Sequence, residues 1–126
     1  MARGIVIRAA HYPGRAPIEA YGNGGFRFAG MSHRGSLLCL PSGIHGWDNP
    51  VLDEAGLAPV FEEAEAIEVL IVGSGAKLVP LPKPLRERLA AAGIVAEPMS
   101  TGAAVRTFNV LLAEERAVAA ALIAVD

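Results

Sequence analysis

The residues best suited to do chemistry lie in two short stretches, Gly73-Ser74-Gly75 and Ser100-Thr101-Gly102, the second followed at helical spacing by Arg106 and Asn109. Glycines let a backbone approach a ligand closely, and free N–H groups at a helix start favour an anion through hydrogen bonding and the helix dipole. On a helix Gly102, Arg106 and Asn109 share one face, so the guanidinium can lean back toward the amino end. Together these residues form a candidate site for a small carboxylate or phosphate, or for an acidic side chain of a partner protein. The same residues also have a plainer use. Thr101 would cap the helix, the glycines would serve tight turns, and Arg106 with Asn109 would bond loop carbonyls. Neither stretch is a nucleotide motif: Gly73-x-Gly75 lacks the third glycine of a dinucleotide fingerprint, and no Gly-Lys-Ser/Thr follows.

Other reactive side chains are few. Histidines 11, 33 and 45 and the lone Cys39 are the conventional candidates for base, ligand or nucleophile. Ser32-His33-Arg34-Gly35-Ser36 pairs a serine with a histidine, without the orienting acid or strained elbow that serine hydrolysis needs. His33 and His45 are too loosely spaced for a metal signature. No catalytic residue, metal or cofactor is therefore assigned. Cys39, between Leu38 and Leu40, reads as a small core residue. Trp47 is a candidate partner anchor, since tryptophan is favoured at interface hot spots; the alternative is a ring closing the edge of the core with its N–H satisfied.

The elements that must position these residues fall into two halves. Short apolar runs broken by glycine, at 5–7, 18–21, 26–29 and 36–40, read as antiparallel strands, and Asn23-Gly24-Gly25 as a hairpin connection. Residues 48–66, rich in Pro, Gly and Glu, read as a connection with one short helix at 59–64, and Glu62, Glu63 and Glu65 as a solvated face. The second half alternates: a buried strand at 67–72, a helix with Leu85, Leu89 and Ala92 on one face and Gly93 as its stop, a strand at 94–96, a helix from Thr101 to Ala113, and a last strand at 118–125. This is a βαβαβ unit, whose crossovers are right-handed. The sheet ends that bind ligands in such folds coincide with the two loops named above.

Composition narrows the class. A chain of 126 residues that is 52% hydrophobic and 19% charged is globular and long enough for its own core, which suggests one domain over 1–126. A net charge of −2 with scattered basic residues disfavours nucleic acid. One cysteine excludes an internal disulfide and fits a reducing cytoplasm. No apolar run is long enough to span a membrane and no secretory leader is visible, so the mature protein is expected to be the whole chain. The small residues Ala119, Ala120, Ala121 and Ala124 would tolerate close packing against a second copy if the last strand lay at an edge, which leaves monomer and homodimer both open.

The stretches Tyr21 to Phe28, Gly35-Ser36-Leu37-Leu38, Pro41, Trp47, Val72 to Gly75 and Met99 to Asn109, in this order, resemble the Mth-type domain of unknown function. That family includes bacterial and archaeal hypothetical proteins, the adipogenesis-associated protein and mitochondrial NADH dehydrogenase (complex I) assembly factor 3. The match covers about 18–125. The resemblance implies a three-layer α/β domain with a mixed central sheet. It also implies a non-enzymatic binding or assembly role, with a protein partner of the respiratory-complex kind. The alternative from the residues is a small-anion site or enzyme at the two loops.

Overall fold

The computed structural model describes residues 11–126, so the strand expected at 5–7 lies outside the described residues. The elements are β1 (His11–Tyr12), β2 (Ile18–Gly22), β3 (Gly25–Phe28), β4 (Met31–Arg34), β5 (Ser36–Leu40), β6 (Gly43–Trp47), α1 (Ala58–Glu62), β7 (Val69–Gly73), α2 (Lys83–Ala91), β8 (Val95–Met99), α3 (Thr101–Ala113) and β9 (Val118–Leu122). Six strands form a central sheet in the order β1-β6-β5-β9-β7-β8, and β2, β3 and β4 form a separate antiparallel meander. The central sheet is mixed: β7 runs parallel to β8 and β9, whereas β5 is antiparallel to β6 and β9.

Three layers follow from the two-residue period of the strands. Leu37, Cys39, Ile71, Val118, Ala120 and Leu122 face a core shared with α3 and with Ile18, Phe26 and Phe28 of the meander. Leu38, Leu40, Leu70, Val72, Ala119 and Ala121 face the opposite core, where Val60 of α1 and Leu85 and Leu89 of α2 pack. The strand β9 therefore lies between β5 and β7, and its alanines are consumed inside the molecule. Their small size serves helix-on-sheet packing rather than contact with a second copy.

Local chemistry fixes most boundaries. Helix α2 ends as its glycine demands: Gly93 takes a φ of +82°, its N–H bonds Ala90 O, and Ile94 N–H bonds Leu89 O, which is a Schellman stop. The Asn23-Gly24 connection has φ of +54° and +78°, the hairpin turn that this dipeptide favours. Between β3 and β4 the same turn is built on Ala29 and Gly30, with φ of +49° and +73°. An alanine in the left-handed region costs about 1–2 kcal/mol, so no residue signal announced β4. Edge strand β8 carries its own stop. Val95 N–H points inward to Glu68 O, and by alternation the amide of Pro98 would point outward, where proline offers no donor to a foreign strand.

Candidate functional site

Parallel strands β7 and β8 send their chains to helices on opposite faces of the sheet, so a crevice opens at their carboxyl ends. The two loops that leave there are bonded to each other: Ser74 N–H donates to Met99 O at 2.9 Å and Thr101 N–H to Gly75 O at 2.8 Å. Gly73, Ser74, Gly75, Ser100, Thr101 and Gly102 are thus brought together. Most of them, however, are turned to structural use. Ser74 Oγ accepts from Val79 N–H at 2.8 Å and shares its proton between Lys77 O at 2.8 Å and Met99 O at 3.1 Å. Gly73 lets the helix approach, since a Cβ there would meet Thr101 Cα at 3.0 Å and Ala104 Cβ at 3.1 Å.

Thr101 is not the helix cap. Ser100 takes that position, with its side chain accepting from Ala103 N–H at 3.4 Å. Thr101 is the first helical residue and fully buried, and its hydroxyl donates to Ile123 O at 2.7 Å while accepting from Gly75 N–H at 3.0 Å. One side chain so ties the exits of β7 and β9 to the start of α3.

The shared face of Gly102, Arg106 and Asn109 exists, but it is mostly laid against β2. Tyr21 rests on Gly102, where any Cβ would overlap its hydroxyl. Asn109 brackets Ile18, accepting from its N–H and donating to its O, both at 2.9 Å. Seven helical residues rise about 10.5 Å, close to the roughly 10 Å that three strand residues span, so the spacing matches an antiparallel strand crossing the helix. Asn109 therefore stands away from the loops. Replacing it with leucine removes two bonds that join meander to helix and is expected to cost about 2 kcal/mol, read as a lower urea midpoint at unchanged m-value.

Arg106 remains. It is exposed, has no carboxylate partner among the described residues, and lines a cleft of about 530 Å³ with Tyr21, Gly75, Ser100, Gly102 and Asp126. The Gly102 N–H has no protein acceptor among the described residues. Leu78 and Val79, on the loop that Ser74 braces and two and three residues beyond cleft-lining Ala76, are 55% and 48% exposed. The sequence reading missed Tyr21, which the glycine four residues before Arg106 could have signalled as a seat for a large neighbour.

The remaining candidates sit elsewhere. Trp47 is only 5% exposed and its indole N–H donates to Gly56 O at 2.9 Å, so it closes the core and offers no surface to a partner. Cys39 is a buried free thiol whose pKa desolvation pushes up to about 12, the opposite of a reactive thiolate. An unanticipated serine–histidine contact joins Ser42 Oγ to His45 Nε2 at 3.1 Å. Its acid is on the wrong partner: Ser42 donates to Glu63 Oε2 at 2.6 Å, and its N–H to Glu63 Oε1 at 2.9 Å. This fastens a turn and does not activate a nucleophile. It also takes Glu63 out of the solvated face expected for residues 62–65. Among the described residues no group of three His, Cys, Asp or Glu side chains could hold a metal ion.

Comparison with known proteins defines the class. The family model described as protein of unknown function (DUF498/DUF598) matches residues 18–123, and the chain belongs to that family. It is 43% identical over 116 residues to an uncharacterized protein of Rhodobacter capsulatus, covering 92% of this chain and 90% of that one. It is 34% identical over 109 residues to NADH dehydrogenase [ubiquinone] 1 alpha subcomplex assembly factor 3 of Danio rerio, covering 84% of this chain and 63% of that protein's length. Among solved structures, one described as an outer membrane protein from Bartonella henselae superposes with a TM-score of 0.88 at 60% identity, covering 92% of this chain and all of that one. The family resemblance read from the motifs and the mixed α/β fold are thus both established. No helix among the described residues is long and apolar enough to cross a membrane.

Proposed function

We propose that the chain is a non-enzymatic docking module of the assembly-factor kind, working in the cytoplasm, and that the cleft beside Arg106 takes an acidic side chain of a protein partner. The observation that carries this reading is how the polar groups at the crevice are used. The hydroxyls of Ser74 and Thr101 and the amide of Asn109 are all bonded within the fold, which leaves the Arg106 guanidinium without a partner among the described residues. Its cleft is lined by Gly75 and Ala76 of the braced loop, which goes on to the exposed Leu78 and Val79. An arginine on a surface that also exposes large apolar side chains suits a protein interface, where arginine is enriched, better than it suits turnover of a substrate. Likeness to assembly factor 3 points the same way, and a single buried thiol is compatible with a reducing compartment.

The reading is tested by placing a photo-crosslinking amino acid at Leu78, with Val51 as the control position, and irradiating native lysate. One protein is expected to be captured from Leu78 and not from Val51, and Arg106→Ala should lower its yield about threefold, as for an exposed ion pair, without changing the melting temperature. Equal capture from both positions, or indifference to Arg106→Ala, overturns it. The small-anion alternative shares the same guanidinium, and is separated by a melting-temperature screen of phosphates and carboxylates that only this alternative expects to succeed.

A further inference from the structure

The arginines of the described residues sort into two groups. Arg15 is held by the carbonyls of Arg116 and Val118, Arg86 by that of Leu81, Arg88 by Glu54 and the Phe61 ring, and Arg116 by Glu68. Arg27, Arg34 and Arg106 have no acceptor among the described residues, and residues 1–10 contain no Asp or Glu that could supply a carboxylate. These three are not scattered. Arg27 and Arg34 line one pocket of about 250 Å³ on the meander, Arg106 lines the cleft, and Tyr21 borders both.

The register explains the pocket. Arg27 pairs with Ser32 and Arg34 with Gly25, so both arginines stand on the meander face opposite Phe26 and Phe28, at diagonal positions about 7–8 Å apart. The same face continues onto β2 as Ala20 opposite Arg27 and Gly22 opposite Gly25. Small residues thus make a floor between two like charges, an arrangement that repels itself unless an anion lies across it. Glu19, the one acid of the meander strands, accepts from Gly30 N–H at 3.2 Å and forms no ion pair with either arginine. The chain as a whole carries a net charge of −2, so this local cationic stripe runs against the composition.

We infer that the outer meander face is a second recognition surface, distinct from the Arg106 cleft, and that its occupant is an extended acidic segment of a protein partner. The cleft opens on the α3 side of the meander and meets this face only at the β2 edge, where Tyr21 borders both. The inference rests on the docking reading above and adds to it the chemistry and reach of the ligand. Carboxylates spaced along a peptide would meet Arg27 and Arg34 through the planar forks that suit carboxylate oxygens, over the floor of Ala20, Gly22 and Gly25.

The test is fluorescence anisotropy with a fluorescein-labelled deca-glutamate peptide, deca-glutamine serving as the uncharged control. The protein should bind the first and not the second, with affinity falling as salt rises. Arg27→Gln and Arg34→Gln should each weaken binding about threefold, and together about tenfold, in line with exposed ion pairs. Lys83→Gln, the same loss of charge on the exposed face of α2, should leave it unchanged, and melting temperatures should confirm that every variant folds. If Lys83→Gln weakens binding as much, or the double variant binds like the parent, the inference fails. Loss of binding by Arg106→Gln alone would keep the cleft reading and overturn this one. Preference for phosphatidylserine vesicles over the peptide, abolished by the double variant, would make the stripe a membrane contact and overturn it equally.

Discussion

Thr101→Val is expected to destabilise the protein by about 3 kcal/mol, and Thr101→Ser by about 1 kcal/mol, each orphaned buried partner costing about 1–3 kcal/mol and a lost methyl about 0.8 kcal/mol. Valine keeps the shape of threonine, so no cavity opens and no rotamer changes. What it removes is the hydroxyl that donates to Ile123 O and accepts from Gly75 N–H, at a position with no exposure to water. Serine keeps both bonds and gives up only apolar contact. The order of the two variants is therefore the reverse of what burial of hydrocarbon alone would give. Urea unfolding at constant m-value decides it, and a valine variant as stable as the serine one would show that the hydroxyl is incidental. Amide exchange gives a second readout, since Gly75 N–H should lose protection in the valine variant while the centre of β7 keeps it.

The difference between this expectation and a simple cap shows what the sequence could and could not disclose. Alternation and run length made the strands at 36–40 and 67–72 legible, as the apolar stripe made α3 and Gly93 made the end of α2, because each signal is local. The residues of β4 and β6 carry no such pattern. Met31 to Arg34 is polar text whose strand depends on a turn through Ala29, and Gly43 to Trp47 pairs with β5 at one edge and the two-residue β1 at the other. At the candidate site, the motif at 99–109 was visible but its purpose was not. Residue types at helical spacing say which side chains share a face, and nothing about what lies against it. Here that neighbour is β2, some eighty residues earlier in the chain, which claims Gly102 through Tyr21 and Asn109 through Ile18. The arginine between them is left to solvent. Trp47 illustrates the same limit, since its N–H finds Gly56 O only when the connection before α1 folds under it.

The packing of α3 on β7 yields the other large effect. Gly73→Val is expected to cost about 3 kcal/mol, at the upper end of ordinary overpacking. Strand residues normally gain from a β-branched side chain, and the added carbons would be buried, so propensity and burial both favour the substitution. Sterics oppose it: the first carbon alone would lie 3.0 Å from Thr101 Cα and 3.1 Å from Leu122 Cδ2. Leu122 can turn, but Thr101 Cα is backbone, and its residue is pinned by Gly75 O, Gly75 N–H and Ile123 O together. The helix start cannot lift without breaking those bonds. Gly73 and Thr101 should consequently be coupled. Thr101→Val removes the two hydroxyl bonds and leaves only the backbone bond to Gly75 O, so the helix start can shift more easily, and Gly73→Val should cost less in that background than in the parent. A double-mutant cycle is expected to show an interaction of about 1 kcal/mol, within the range found for residues in contact. Strict additivity would mean that the strain of the added side chain is relieved through Leu122, leaving the start of α3 where it is.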